Sequence, residues 1–258
     1  MTGVQTCALP ISWKPLPQKV AIYFHALEPA DHAAFGRCIA YFVAQGYRIV
    51  HPDVFVSDAT GARLLFVSFD DNYANWHAAL PLLSKLQVAA TFYVNTLPLM
   101  DLSQDHERSA YFRRIDYATD RRSLTQAQVR EIAADGHTIG CHSHSHADLA
   151  KLDPADWDAE IKGCRIQLER LLNKPVEHFA YPFGMRRYFS APLRDYCRAI
   201  GFKTVAAGIP GLQHAAPVDP FNIHRTRWQL HRSVEGNIAD IRIDGRRFEA
   251  WTGRSAVG

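Results

Sequence analysis

The sequence predicts an α/β chain in which a parallel sheet closes into a barrel with helices packed outside it. Three observations carry this. Strand-like and helix-like segments alternate from Lys19 to Ala206, and that alternation is the signature of a parallel sheet. The alternating units are numerous enough to bring the sheet round on itself. The chain has 258 residues, a length that α/β barrels occupy as one unit. Its 47% hydrophobic and 21% charged residues support a substantial core and argue against disorder.

Taken in order, Lys19 to Phe24 reads as a buried strand ending at His25. Ala33 to Gln45 has helical spacing, with Phe35, Ile39, Phe42 and Val43 on one face and Gly46 as its C′ stop. Tyr47 to Val50 and Arg63 to Phe69 are the next strands. Asn75 to Leu86 suits a helix, in which Pro81 sets a kink or a fresh first turn. Val88 to Val94, β-branched and aromatic, is a strand. Residues 97–122 are polar and irregular, an expected insertion with one helix around Glu107 to Ile115. Ser123-x-x-Gln126 has capping-box spacing and opens a helix expected to stop near Gly136. The strand His137 to Cys141 follows. Asp153-Pro154 offers an N-cap and N1 pair for a long helix through Leu172. A strand at His178 to Tyr181, a helix near Pro192 to Ile200 and a strand at Phe202 to Ala206 continue the pattern.

Composition excludes several classes. The net charge is only +3, and Arg113-Arg114 and Arg121-Arg122 are too short to form a nucleic-acid footprint. No run approaches the roughly 18 apolar residues of a membrane span. The five cysteines are odd in number and show no CxxC pairing, which argues against a zinc knuckle or disulfide scaffold. Cys141 reads as a small buried residue rather than a thiolate ligand. Residues 1–12 stand apart: Met1 to Ile11 back-translate into a sequence resembling a common short-read sequencing adapter. They are expected to be a non-native segment ahead of a single catalytic domain over 13–258.

Chemistry concentrates in two segments, Ser68-Phe69-Asp70-Asp71 and His142-Ser143-His144-Ser145-His146. Alone, an Asp-Asp pair at a strand end is usually a solvated turn, and an HxxxH tract is more often structural. Together each supplies what the other lacks. One carboxylate and two imidazoles form a recurrent three-ligand set for a catalytic zinc with a position left for water. The second carboxylate then remains free as a general base. Neighbouring side chains on a strand point apart, so Asp70 and Asp71 can share a site only where the strand breaks.

These segments resemble the NodB-homology polysaccharide deacetylases, carbohydrate esterase family 4. Ser68-Phe69-Asp70-Asp71 is similar to the family's TFDD motif, with Asn72 where glycine is usual. Gly136 to His146 is similar to its GHxIGxHTxxH segment, Phe179-Ala180-Tyr181-Pro182-Phe183-Gly184 to its FAYPYG form of the third motif, and Gly201-Phe202 to the GF of the next strand. The resemblance runs from about Val20 to Trp228 and leaves the tail beyond unassigned. It implies a distorted (β/α) barrel of seven strands.

The resemblance also implies that Asp71, His142 and His146 hold one divalent metal ion, with Asp70 as the base. Zinc suits this donor set, and cobalt or nickel can replace it. The family pattern turns His144 away from the metal. An oxyanion donor near Phe183, beside Tyr181, is implied as well. His25, in an early YH segment, is the candidate proton donor, and His224 is its competitor. Ala180 stands where many members carry the arginine that steadies the catalytic aspartate. Arg225 is the expected substitute, with Arg227 as rival. The implied substrate is an acetylated glycan, N-acetylated before O-acetylated. Two alternatives stand beside it: an amidohydrolase of the same fold acting on a small cyclic amide or imide, and a non-catalytic glycan-binding protein, motivated by Ala180 and Asn72.

Overall fold

The computed structural model describes residues 16–99, 105–115, 122–213 and 217–243. The expected non-native segment 1–12, with Cys7, lies outside these residues, as do parts of the 97–122 insertion and the end of the tail. The strands in chain order are β1 (Lys19–Phe24), β2 (Arg48–Ile49), β3 (Leu64–Asp70), β4 (Thr91–Val94), β5 (Thr138–Cys141), β6 (His178–Ala180), β7 (Thr204–Ala207), β8 (Ile223–His224) and β9 (Thr226–Arg227). The helices are α1 (His32–Ala44), α2 (Pro52–Ser57), α3 (Asn75–Ala78), α4 (Leu80–Lys85), α5 (Asp105–Arg114), α6 (Gln126–Ala134), α7 (Gly163–Leu172), α8 (Ala191–Ala199) and α9 (Val234–Ile241).

All the strand pairs are parallel, in the order β8-β7-β6-β5-β4-β3-β1-β9, with β2 beside the start of β3. The two ends of this path, β8 and β9, are halves of one stretch interrupted at Arg225. The ring is therefore nearly closed, its two ends meeting in a single stave divided at Arg225, so that more strands are formed than the seven the resemblance implies. Such a sheet, covered by helices, is buried on both faces, and every residue of β3 is buried. Its Leu64 and Phe66 point into the barrel with Ala21, Tyr93, Ala180 and Ala206. Leu65, Val67 and Phe69 point outward to the helices, as the period of two requires. Phe69 is stacked on Phe92 at 4.9 Å and on Phe24 at 5.3 Å.

Several elements differ from expectation, each for a local reason. Helix α1 buries Phe35, Cys38, Ile39 and Phe42, an i, i+3, i+4, i+7 face. Val43 falls off that face and is 55% exposed. The expected helix over 75–86 is two helices meeting at Ala79, with Pro81 in the first turn of α4, where its missing N–H costs nothing. The capping box is Thr125 with Gln128, not Ser123 with Gln126: the Gln128 amide donates to Thr125 Oγ1 at 3.2 Å, and the Thr125 amide donates to Gln128 Oε1 at 2.9 Å. Ser123 is taken up instead by an antiparallel bridge to Tyr73. Asp153 caps a short 3₁₀ turn, Pro154–Asp156, and a π-type turn over Asp158–Lys162 precedes α7.

The insertion forms α5, and the tail forms α9 behind a Ser233 cap, with Ile238 and Ile241 buried. The four described cysteines are free and buried.

Candidate active site

The site is assembled at the C-terminal ends of the strands, the face on which such barrels place their chemistry. Asp70 is the last residue of β3, on the inward face begun by Leu64 and Phe66. Asp71 leaves the strand with φ 85° and Asn72 follows with φ 54°. This reversal breaks the alternation and turns both carboxylates to the same cleft. Ser143 (φ 67°), His146 (φ 59°) and Phe183 (φ 65°) are also left-handed. Five of the seven non-glycine residues with positive φ among those described thus ring one site. Backbone strain of this sort costs about 1–3 kcal/mol per residue and persists only where the surroundings enforce it.

The loop after β5 carries the imidazoles. His142 Nε2 lies 3.1 Å from Asp71 Oδ1, and His146 Nε2 lies 3.3 Å from the same oxygen. The His142 Nδ1 is 2.7 Å from the Ala180 carbonyl oxygen. A carbonyl only accepts, so Nδ1 carries a proton, and Nε2 is the ring atom turned toward Asp71. Asp71 Oδ1, buried, has no hydrogen-bond partner among the described residues. Donor atoms of Asp71, His142 and His146 lie within 4.8 Å of one another, all buried. Converging lone pairs on one carboxylate and two imidazoles, with the outer nitrogen of one ring fixed by a carbonyl, fit a divalent cation. Burial alone would push the Asp71 carboxyl up, but His146, His142 and His25 together hold it well below the usual carboxylate range. His144 is turned away, with Nδ1 2.8 Å from Thr96 Oγ1.

Asp70 is held from across the barrel. Arg225 Nη1 donates to Asp70 Oδ1 at 2.8 Å and Nη2 to Oδ2 at 2.9 Å, the fork-to-carboxylate geometry of a strong pair. Nη1 also reaches Ser68 Oγ at 2.9 Å, and Nε donates to the Ala207 carbonyl at 3.1 Å. The guanidinium lies between two tyrosine rings, 4.8 Å from the centre of Tyr23 and 5.0 Å from that of Tyr93. Arg225 can enter the interior because β8 and β9 part at this residue. The small side chains of Ala180 and Ala206 line the same interior. Arg227 is exposed at the strand end, and it is Arg225 that meets the Asp70 carboxylate.

These groups open into a cleft of about 210 Å³ that also takes in His25, Tyr181, Phe183, Arg114 and Ile115. His25 Nε2 is 3.5 Å from Asp71 Oδ2, and its side chain is 24% exposed. Burial lowers its pKa despite the opposing pull of Asp71 and Asp70. His224 is buried on β8 and does not line the cleft. The Tyr181 hydroxyl donates to the Gly184 carbonyl at 2.7 Å, and Gly184 itself (φ 71°) sits so close to Gly208 that a Cβ would approach it to 2.5 Å. That turn presents Phe183, 42% exposed, with its ring 4.8 Å from His146. A larger hollow of about 320 Å³ lies beside α6 and α7, but it contains no carboxylate and imidazole set. Sequence reasoning missed Tyr23, Tyr93, Asn95, Tyr111 and Arg114, because aromatic and amide residues in strands and an insertion give no spacing signal.

The family model for polysaccharide deacetylases matches residues 57–205, more than half of the chain, and the chain belongs to that NodB-homology family. A chitin deacetylase from Pestalotiopsis sp is 27% identical over 187 residues, 71% of this chain and 54% of that protein. The chain spans about half the length of the curated relatives it matches. Among solved structures, the Streptococcus pyogenes deacetylase PplD, in complex with acetate, superposes with a TM-score of 0.69 at 18% identity, covering 87% of this chain and 98% of that one. A polysaccharide deacetylase from Bacillus cereus gives 0.65 at 20% identity, covering 87% of this chain and 69% of that one. At these identities the structures share the fold.

Proposed function

We propose that this protein is a metal-dependent deacetylase that hydrolyses acetyl groups from an N-acetylated amino-sugar glycan. The observation that carries the reading is the pairing of a cation-ready set, Asp71, His142 and His146, with an adjacent carboxylate, Asp70, gripped at both oxygens by Arg225. A divalent ion, zinc by the nature of its donors, would be held by those three residues. The chemistry it supplies when bound is polarisation of the acetyl carbonyl and a lowered pKa for water.

The protein's own residues do the rest. Asp70 accepts the proton of the attacking water, and Arg225 keeps its oxygens from turning away from the cleft. The Phe183 amide would be the backbone donor to the tetrahedral oxyanion, and the Tyr181 hydroxyl, bonded to the Gly184 carbonyl, holds the turn that carries it. His25, facing Asp71 across the cleft, returns a proton to the leaving amine. An imidazole whose pKa is lowered by burial gives up a proton readily once it has one. Both departures that motivate a non-catalytic reading have structural counterparts: Arg225 meets the aspartate that the short Ala180 side chain leaves unsupported, and Asn72 adopts the left-handed conformation that asparagine tolerates. The Pestalotiopsis relative, by its name, acts on chitin, which supports an N-acetylated polymer over an O-acetylated one.

The test is acetate release. Chito-oligosaccharides, an O-acetylated glycan and a panel of cyclic amides are each incubated with zinc-loaded protein. Acetate from the first substrate is the expected result. Ring opening of a cyclic amide with no acetate from either glycan would replace the proposal with the amidohydrolase reading.

A further inference from the structure

Tyr111, on the insertion helix α5, is fully buried, and its hydroxyl lies 3.0 Å from both the Asp71 carbonyl oxygen and Asn95 Oδ1. Asn95, just beyond β4 and fully buried, is the hub of a wider network. Its backbone amide donates to Asn72 Oδ1 at 2.7 Å, and Asn72 Nδ2 donates back to the Asn95 carbonyl at 2.7 Å. Asn95 Nδ2 donates to the Ser143 carbonyl at 3.1 Å and also to the His142 carbonyl. The acceptors are thus main-chain oxygens of two candidate metal ligands, Asp71 and His142, and of the left-handed Ser143 between the imidazoles.

We propose that Tyr111, Asn95 and Asn72 form a positioning clamp that fixes the loop after β3 against the loop after β5, and thereby sets the affinity of the Asp71, His142 and His146 set for its divalent cation. The proposal rests on the metal-site reading above. A carboxylate on one strand end and imidazoles on another converge only if both loops stay in strained conformations, and the clamp is what joins them. It also makes the insertion a working part of the site. Tyr111 anchors α5 from below, while Arg114 on the same helix lines the cleft and donates to the Ser145 carbonyl at 2.7 Å. Asn72, where the family pattern has glycine, is then a gained hydrogen-bonding residue. Groups that orient metal ligands from outside change affinity by roughly 10–100-fold when removed.

Tyr111→Phe keeps the ring and deletes only the hydroxyl, and Tyr47→Phe is the control for losing a phenol elsewhere in the fold. Zinc affinity is measured by competition with a chromophoric chelator, at a temperature where circular dichroism shows every variant folded. Amide hydrogen exchange at 71–73 and 142–146 is followed in the metal-free protein. Zinc binding about tenfold weaker in Tyr111→Phe, with faster exchange in both loops and neither change in Tyr47→Phe, is the expected result. Asn72→Gly, which accepts the same φ but cannot bond Asn95, should move both readouts the same way and carries the test if Tyr111→Phe does not fold. Unchanged affinity and protection in the folded variants would overturn the clamp. If the wild-type protein takes up no zinc, the metal reading fails, and the exchange data alone then decide whether the loops are joined as proposed.

Discussion

The Arg225 guanidinium is the clearest case of one side chain determining what its neighbour can do. It is 1% exposed and meets both oxygens of Asp70, so its loss strands a charge. Removing one partner of a buried pair typically costs about 3–5 kcal/mol, and Arg225→Met should lower the chemical-denaturation midpoint accordingly. Arg225→Lys retains the charge without the fork. It should fold, bind zinc and lose turnover, with an acetate-release assay showing kcat reduced more than KM is raised. Asp70→Asn should keep its metal and lose roughly 10²-fold or more in kcat, the scale of general-base removal. Metal content separates these from His142→Ala, for which elemental analysis should find the ion gone. Full occupancy in His142→Ala would remove that ligand from the assignment.

Among the elements, β5 shows how a strand serves a site it does not enter. A Cβ built on Gly140 would come within 2.5 Å of Cδ1 and 2.6 Å of Cε1 of Tyr93, and within 3.1 Å of the His178 carbonyl. The absent side chain is what lets the Tyr93 ring lie flat enough in the barrel to flank Arg225. Gly140→Ala should therefore act twice. Overpacking a filled interior costs typically about 1–3 kcal/mol, which thermal unfolding will show, and a displaced Tyr93 should lower turnover by disturbing the guanidinium on Asp70. A variant with wild-type stability and wild-type kcat would mean that the ring moves aside without consequence.

For the molecule as a whole, two histidines away from the cleft bias stability with pH. His137 and His178 are both lowered from the ordinary 6.5, chiefly by burial and against the opposing pull of Asp135 and Asp53 respectively. The unfolded chain takes up protons at these positions as pH falls below about 6.5, whereas the folded protein resists them. The unfolded state then binds more protons, so the stability present above that pH is lost on acidification. Urea midpoints should fall between pH 7.5 and 5.5, and His178→Gln should flatten the slope. A midpoint independent of pH over that range would show that both imidazoles find compensation in the fold.

The sequence by itself determined the alternation of strands and helices, the break after Phe69-Asp70 and the pairing of a carboxylate with the HxxxH tract. Each is a local matter of period, propensity or residue type, and such patterns survive without a partner in view. It also pointed to Arg225 as the cation for Asp70, but only through resemblance, with Arg227 left as a rival two residues away. Tertiary structure decided between them, because the two ends of the strand path meet in a stave divided at Arg225, and that meeting is a property of the first and last strands together. The same holds for Val43, left outside the face that Cys38 completes, and for the capping box at Thr125, since Ser123 had been claimed by a bridge to Tyr73. Asn95 and Tyr111 lay beyond sequence reasoning altogether, and Asn72 stood out only as a departure from the family's glycine. Amides and phenols far apart in the chain have no spacing to read, and only the folded barrel brings them to the same two loops.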